Sequence, residues 1–476
     1  MRNKGTKKYL EITTGKVENS FTRVLRKVQA NERLTHYSGL GTIWEYVRSN
    51  GLMSLLNRTF PTIKQSATKF TNIQIFMSIV LGHVCGIHRL IRLENFTNDP
   101  LVRHLLALPD RVEDSTFKDR LLKLGESGAI MLQETLFLIT RKWLCKTTLS
   151  RITIDCDSTV STVYGNQEGA AKGYNPHKKG ALSYHPILCY CSEMKLLINS
   201  WFRTGSAYTS NGICEFLNQT LAMLPKHIKK IFFRADTCTV YEVRGSGFFS
   251  GALFDLLEEG RHEYLVKVKL KNLSDLMKKQ AWTQVNSKES VCEFDYHAKD
   301  WKVSRKLKAI RILTSVETYT VMGSEYRIEK FEYFCYCSNL KGLNICELHR
   351  LYRVLRTQYK YGYRAESENW IEQVKNQLHA SQTVTNDFHV NDTAYFVHST
   401  SILWQLAVLG YNLSIIMRYE ADHKIWKQEH QTFRMWFINV PGKVVKSARE
   451  VIVKMSAHYW EASSWQRFAA IVTSSA

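Results

Sequence analysis

The change of hydrophobic period at Arg151 constrains the fold more than any other feature of the chain. Upstream, from about Thr42 to Lys146, apolar residues recur at helical spacing. From Arg151 the sequence RITIDCDSTV alternates with a period of two, which is typical of a strand and puts Asp155 and Asp157 on one face. The sequence therefore predicts a mixed α/β domain preceded by an all-α segment.

Further strands and helices alternate after this first strand. The prediction gives strands at 182–190 and 195–203, a helix at 210–224, a strand at 231–235, a helix at 251–259 and a strand at 264–269. Asp236 directly follows the strand at 231–235 and so lies at its carboxyl end. Active residues of α/β sheets gather at the carboxyl ends of strands, so Asp157 and Asp236 are candidate site residues.

These changes of pattern divide the chain into six segments. Residues 1–34, with nine Lys or Arg and three Glu, read as a basic arm or as a solvated terminus. The helical segment is either a DNA-binding domain or a cap that only packs. The predicted boundaries are an arm at 1–34, a helical domain at 35–147, a catalytic core at 148–285 and 342–424, a β-rich insertion at 286–341, and a basic C-terminal segment at 425–476.

The composition favours a globular protein with a polyanionic partner. The net charge is +22, from 65 Lys and Arg against 43 Asp and Glu, which favours nucleic acid as the partner. The 11 Cys include no Cys-x2-Cys pair, so buried thiols in a reducing cytoplasm explain them best. The most apolar stretch, Ile73 to Ile87, falls short of the roughly 20 residues that span a bilayer. We expect a soluble cytoplasmic protein with no membrane partner.

A polar stripe marks the stretch QYKYGYRAESENWIEQVKNQ, residues 358–377. On an α-helix, Tyr361, Arg364, Glu368 and Lys375 fall within roughly 60° of one another. A helix built only to pack would carry aliphatic residues along such a stripe. Ion pairs on a solvated helix face could give the same composition, so the spacing Tyr-x2-Arg-x3-Glu-x6-Lys is what makes the stripe informative.

That spacing resembles the signature of DDE transposases from bacterial insertion sequences. Three phrases are most similar to the insertion-sequence 1380 group, so the chain as a whole resembles the insertion-sequence 4 / 1380-like transposases: GLGTIWEYVRSNGL, DSTVSTVYGNQEGAAKGYNPHKKG and GFFSGALFDLLEE. The resemblance implies a ribonuclease-H-like catalytic domain interrupted by a β-rich insertion. It also implies that Asp157, Asp236 and Glu368 are the catalytic carboxylates.

The resemblance implies a two-metal reaction on DNA. The three carboxylates would bind two Mg²⁺ ions, with Mn²⁺ as a substitute, and no organic cofactor is expected. The partners would be the element's terminal inverted repeats and target DNA, bound by a homodimer in a synaptic complex near the bacterial nucleoid. The predicted DNA contacts are Tyr361, Arg364, Lys375, His177, Lys178 and Lys179.

Several assignments have rivals. Asp155 shares a strand face with Asp157, and Glu372 lies about 40° from Glu368 on the helical wheel. Some relatives place an aromatic residue against a flipped base, a role for which Trp282 and Trp301 are candidates, although both suit packing better.

The sequence departs from the family pattern after Asp236. Nine residues, Thr237–Gly245, separate RAD from SGFFSG, whereas relatives run directly from one to the other. The alternative to an active transposase is therefore an inactive or domesticated DNA-binding copy. A glycosidase with paired carboxylates is a distant third, since it explains neither the charge nor the stripe.

Overall fold

In the computed structural model, the chain is described over residues 32–61, 69–165, 167, 169–173, 175–176, 178–207, 212–236, 248–269, 272–322, 324–353, 364–380, 402–447, 450–456 and 458–474. The stretches Tyr361–Tyr363 and Thr237–Gly245 lie outside these residues, as does His177.

The first part of the described chain is helical after one short strand. The elements are β1 (Leu34–Thr35), α1 (Leu40–Ser49), α2 (Leu52–Thr59), α3 (Asn72–Cys85), α4 (Leu90–Thr97), α5 (Pro100–Leu105) and α6 (Asp114–Leu144). Gly125 breaks α6 with φ 53° and ψ −155°, a conformation open to glycine. Thr71 and Gln74 form a capping box at the start of α3.

The middle of the chain forms the strands and helices of the α/β region. They are β2 (Arg151–Ser158), β3 (Ser161–Thr162), β4 (Ala171–Lys172), β5 (Leu182–Tyr184), β6 (Ile187–Cys191), β7 (Leu196–Trp201), α7 (Ile213–Met223), β8 (Lys230–Asp236), α8 (Gly251–Glu259), β9 (Glu263–Lys267) and α9 (Leu273–Lys278). The predicted strand at 182–190 is wrong as a single strand, because it is divided at His185 and Pro186 between β5 and β6.

The last part begins with a β-rich stretch and ends with helices. Its elements are β10 (Thr283–Gln284), β11 (Glu289–Tyr296), β12 (Arg305–Val321), β13 (Ser324–Ser338), α10 (Ile345–Arg353), α11 (Arg364–Glu372), α12 (Ile402–Ala421), α13 (His423–Trp426), α14 (His430–Phe433), β14 (Gly442–Lys446), β15 (Val451–Met455) and α15 (Ala462–Ser474). π-Helical turns over Gln373–Gln377 and Arg434–Ile438 continue α11 and α14.

A nine-stranded mixed sheet organises the molecule, in the order β10-β11-β12-β13-β9-β8-β2-β6-β7. Within it, β2, β8 and β9 are parallel, β6 runs antiparallel to β2, and β7 runs antiparallel to β6 and therefore in the same direction as β2. Numbered in chain order, these five strands have the arrangement 3-2-1-4-5. The prediction of a mixed α/β fold is therefore confirmed.

Helix α12 is buried along nearly all its length and connects the sheet to the N-terminal helices. It packs against α3, α6 and β7. Asn412 on α12 accepts from the Leu197 N–H at 2.9 Å and donates to the Leu197 carbonyl at 2.7 Å. This amide thus satisfies backbone groups at the outer edge of β7 that would otherwise be buried without partners.

Helices α1 to α6 share one hydrophobic core with the sheet. Whether they form an independent DNA-binding domain stays a prediction, as do the six segment boundaries. Within the described residues, no single helix has the length and composition to cross a membrane; α3 and α4 meet those criteria only as a pair bent by 99°.

Candidate active site

Asp157 and Asp236 lie at the carboxyl ends of two adjacent parallel strands. The last registered pair between β2 and β8 is Cys156 with Ala235, and the two aspartates are the next residues on each strand. Neighbouring strands are about 4.8 Å apart, so the two backbones are close at this edge. The Asp157 side chain is half-buried, and its Oδ1 accepts the Ser158 N–H at 2.8 Å. The backbone of Asp236 pairs opposite Lys267 of β9, and its side chain lies outside the described atoms.

Asp155, the rival of Asp157, is engaged in a buried ion pair. Arg234 donates from Nε to Asp155 Oδ1 at 2.8 Å and from Nη2 to Oδ2 at 2.7 Å, and both side chains are 0% exposed. The Ser192 hydroxyl also donates to Oδ2. The pair joins β2 to β8 two residues before the two aspartates, so it holds the register of the strands that carry them.

Helix α11 carries the candidate glutamates and packs against β2. Its buried Trp370 lies against Tyr190 of β6, with ring centroids 5.5 Å apart. Glu368 is exposed, and no hydrogen bond or ion pair to its carboxylate is found among the described residues. Glu372 accepts from Gln377 Nε2 at 2.9 Å, and the same amide nitrogen donates to Glu429 at 3.1 Å. Glu372 therefore has a local structural role.

Lys375 lies on the π-helical turn, which corrects the helical-wheel prediction. Because hydrogen bonds there run from i to i+5, the 100° spacing does not extend from Glu368 to Lys375. The Lys375 ammonium donates to Thr159 Oγ1 and to the Val160 carbonyl, both at 2.8 Å. Burial lowers the pKa of Lys375. This lysine thus ties the turn after α11 to the chain that leaves β2.

The remaining predicted DNA contacts are only partly described. Tyr361 and His177 lie outside the described residues, and Arg364 opens α11 with a side chain that is not described. Lys178 and Lys179 are exposed on the chain between β4 and β5. The Lys178 ammonium lies 4.8 Å from the centre of the Tyr164 ring. The roles of all these residues in binding DNA stay predictions.

The donor chemistry of the strand ends fits a hard divalent cation. Two aspartates on adjacent strands, with a glutamate on a helix that packs against one of them, supply carboxylate oxygens, which Mg²⁺ prefers. Within the described residues, which exclude the Asp236 side chain, no group of three His, Cys, Asp or Glu side chains is close enough to hold a metal ion.

Neither tryptophan proposed for a flipped base is free for that role without rearrangement. Trp301 is buried against Gly251, Phe249 and Phe254. Trp282 donates to the Met277 carbonyl and lies against Tyr333. Packing explains both side chains.

The sequence interpretation missed Arg234 and the loop residues Thr159 and Val160. A signal for Arg234 was present, because Asp-x-Asp and Arg-x-Asp have the same spacing at the ends of β2 and β8. Asp155 and Arg234 are partners in the register of these two strands, and each stands two residues before an aspartate. The contact of Lys375 with the loop has no comparable signal.

The mixed sheet and the aspartates near the ends of β2 and β8 define an α/β protein with a candidate site at its strand ends. The family model for Transposase DDE domain group 1 matches residues 19–475, and the chain belongs to that family. The prediction of a DDE transposase is thereby confirmed.

Solved structures of two transposases are similar to the chain. A cryo-EM structure of the piggyBac transposase synaptic complex with hairpin DNA matches at 11% identity and a TM-score of 0.40, covering 85% of this chain and 81% of that chain. The Mos1 transposase paired-end complex with the left transposon end matches at 8% identity and a TM-score of 0.17, covering 42% of this chain and 60% of that chain. These scores support no residue-level comparison. No curated protein matches the chain significantly.

Proposed function

We propose that the chain is an insertion-sequence transposase with Asp157, Asp236 and Glu368 as its catalytic carboxylates. It binds the terminal inverted repeats of its element, cuts phosphodiester bonds there and joins the freed 3′-OH ends to target DNA. The observation that carries the proposal is the register of β2 and β8, in which an aspartate follows the last paired residue on each strand, in a chain of the DDE transposase family.

The reaction has two displacements at phosphorus. A water oxygen bonds to the phosphorus at the element's end, and the 3′ oxygen leaves as a hydroxyl after taking up a proton. That 3′-OH then attacks a phosphorus of target DNA and displaces the target's own 3′ oxygen. Two Mg²⁺ ions held by the three carboxylates would stabilise the attacking and leaving oxygens.

The protein's part in this reaction is positioning and electrostatics. Asp157 needs little reorganisation, because its strand is hydrogen-bonded on both sides and tied to β8 by the buried Asp155–Arg234 pair. The exposed Lys178 and Lys179 are suited to contact DNA phosphates. Asp155 and Glu372 already serve structural contacts, which favours Asp157 and Glu368 as the catalytic groups.

The test is strand cleavage of DNA that carries the element's two ends, with Mg²⁺ or Mn²⁺ present. We expect wild type to cut, and Asp157→Asn, Asp236→Asn and Glu368→Gln each to lose at least about a thousandfold in rate. Glu372→Gln is the matched control on the same helix and should keep cutting. If Glu372→Gln abolished cleavage while Glu368→Gln did not, the assignment of the glutamate would be wrong.

The second candidate function, an inactive DNA-binding copy, is favoured by the nine residues Thr237–Gly245 directly after Asp236. A variant lacking these residues separates the two candidates. If wild type binds the ends without cutting and the deletion variant cuts, this copy is a disabled transposase. If neither cuts while both bind the ends, the catalytic proposal fails and DNA binding remains as the function.

A further inference from the structure

Residues Ser315–Lys330, here called the ribbon, extend beyond the main sheet. The neighbouring strand β11 pairs with β12 only as far as Ile312, and β9 pairs with β13 only from Tyr336 to Ser338. Between them, β12 and β13 pair with each other through seven residue pairs, from Ser315–Lys330 to Val321–Ser324. At about 3.3 Å per residue this gives an arm of roughly 23 Å. None of the ribbon residues with a described side chain is buried.

The two faces of the ribbon differ in chemistry. Residues directly opposite each other in an antiparallel pair share a face. One face, here called the aromatic face, carries the pair Tyr319–Tyr326 and Ile328, which are 48%, 56% and 49% exposed. The other face is mainly polar and carries Val316, Thr318, Thr320, Glu325, Arg327 and Glu329.

The charges on the aromatic face are already paired within the ribbon. Lys330 forms an ion pair with Glu317, and the Tyr319 hydroxyl donates to the same carboxylate at 2.5 Å. The face therefore presents two aromatic rings and an aliphatic side chain beside a neutralised ion pair. Apolar side chains that are exposed together gain from a covering partner.

Duplex DNA does not fit this surface. The ribbon has three Glu against one Arg and one Lys, a net charge of −1 in a chain of +22. Binding to phosphates depends on Lys and Arg that release counterions, and the lysine on the aromatic face is engaged with Glu317. A protein surface is the better match, because tyrosine is enriched where proteins meet.

We propose that the aromatic face of the ribbon packs against the aromatic face of the ribbon in a second copy of this chain. Two molecules of charge +22 repel each other, so a contact between copies is best made by a segment that is not positive. A two-fold axis brings the same patch together from both copies, and each Tyr319–Tyr326 pair then meets its equivalent. The proposal depends on the proposed function in one respect. A transposase that joins two DNA ends needs two subunits, which is why two copies would meet.

The ribbon face is small compared with the about 800 Å² per partner of a standard interface, so the self-association it drives is weak and depends on concentration. Sedimentation of the full chain, without DNA or metal, measures it. We expect the combined variant Tyr319→Ser, Tyr326→Ser and Ile328→Ser to raise the dissociation constant at least about tenfold. The matched control Val316→Ser, Thr318→Ser and Thr320→Ser changes the opposite face and should dimerise like wild type. Unfolding midpoints of both variants should stay near that of wild type, because all six side chains are exposed.

A crosslinking measurement tests the geometry directly. The background carries Cys145→Ser, which removes an exposed thiol, and Cys238→Ser, at a position outside the described residues. In it, Tyr326→Cys should give a covalent dimer with a short bis-maleimide, and Thr318→Cys should not. The proposal is overturned if wild type stays monomeric over the whole concentration range, if the aromatic-face variant associates as tightly as wild type, or if only Thr318→Cys crosslinks. It is also overturned if the aromatic-face variant keeps its self-association and instead loses affinity for single-stranded DNA, whose bases could stack on the tyrosines. Since neither measurement contains DNA ends or metal, a failure to cut DNA would leave these results unchanged.

Discussion

The strands that carry Asp157 and Asp236 and the helix that carries Glu368 are held in different ways. Strands β2 and β8 are joined by backbone hydrogen bonds and by the Asp155–Arg234 pair, which is 0% exposed. Helix α11 and the turn that follows it are held by side chains that reach three separate elements. The Trp370 ring packs against Tyr190, and the Lys375 ammonium donates to Thr159 and Val160. The His83 side chain is hydrogen-bonded to the Leu378 carbonyl.

This difference means that the two parts of the candidate site can be perturbed separately. A backbone ladder with a buried ion pair fails as a unit, because the strands have no second register that keeps the same residues buried. Contacts from single side chains fail one at a time. The aspartates therefore belong to a rigid half of the site, and Glu368 belongs to a half whose position can be tuned by individual substitutions.

Breaking the ion pair tests the rigid half and has the largest expected effect. Arg234→Met leaves the Asp155 carboxylate charged, buried and without its bidentate partner. We expect a loss of about 3–5 kcal/mol in the free energy of unfolding, measured by urea titration followed by circular dichroism.

The double variant Asp155→Leu with Arg234→Met is the control for that loss. It removes both charges and fills the space with apolar atoms, so it should recover most of the lost stability. A loss below about 1 kcal/mol for Arg234→Met alone, the range of exposed ion pairs, would mean that the pair does not hold the strands together.

Acid tests the burial of His83, the histidine that contacts the turn after α11. The His83 Nδ1 lies 2.7 Å from the Leu378 carbonyl, which can only accept, so Nδ1 carries the proton and Nε2 is free of hydrogen. Burial lowers the pKa of His83 from 6.5 to about 4. Since the folded pKa lies below the unfolded one, the stability it provides is complete above pH 6.5 and is lost as the pH falls toward 4. The expected loss is about 3 kcal/mol.

Unfolding midpoints in urea between pH 7 and pH 4 measure this dependence. The variant His83→Asn keeps an N–H donor for the Leu378 carbonyl but cannot titrate, so its stability should depend less on pH by about the same 3 kcal/mol. Parallel pH profiles for wild type and variant would show that His83 does not carry the effect, and the other buried histidines would then have to account for it.

The rigid half could be predicted from sequence, because its signals are local and strong. The alternation from Arg151 to Asp157 and the apolar run before Asp236 locate β2 and β8, and their order with the neighbouring elements leaves few topologies. The choice between Asp155 and Asp157 could not be made from the same pattern, since both residues share a face. It depends on Arg234, a partner 79 residues away.

The adjustable half could be predicted only in part. The spacing of the polar stripe predicts a helix here, and α11 covers residues 364–372 of it. The π-helical turn from Gln373 has no such signal, because hydrophobic period does not distinguish i+4 from i+5 hydrogen bonding. The burial of Lys375 and its contact with Thr159 come from how the helix docks on the sheet. A contact of this kind, across 216 residues, has no trace in local spacing.

The smallest effect on stability is expected for Lys375, and its substitution separates positioning of the turn from contact with DNA. Lys375→Met keeps the aliphatic stem and removes the donors to Thr159 Oγ1 and the Val160 carbonyl. The free energy of unfolding should therefore fall by about 1–2 kcal/mol. If the lysine positions the turn after α11, cleavage should fall while the salt dependence of DNA binding stays the same. If instead it contacts a phosphate in the complex, as the sequence signature implies, the slope of log affinity against log salt should fall by about one. The control for the loss of one positive charge is Lys427→Met, since Lys427 is exposed. If Lys375→Met left the stability unchanged, Lys375 would have no role in positioning the turn.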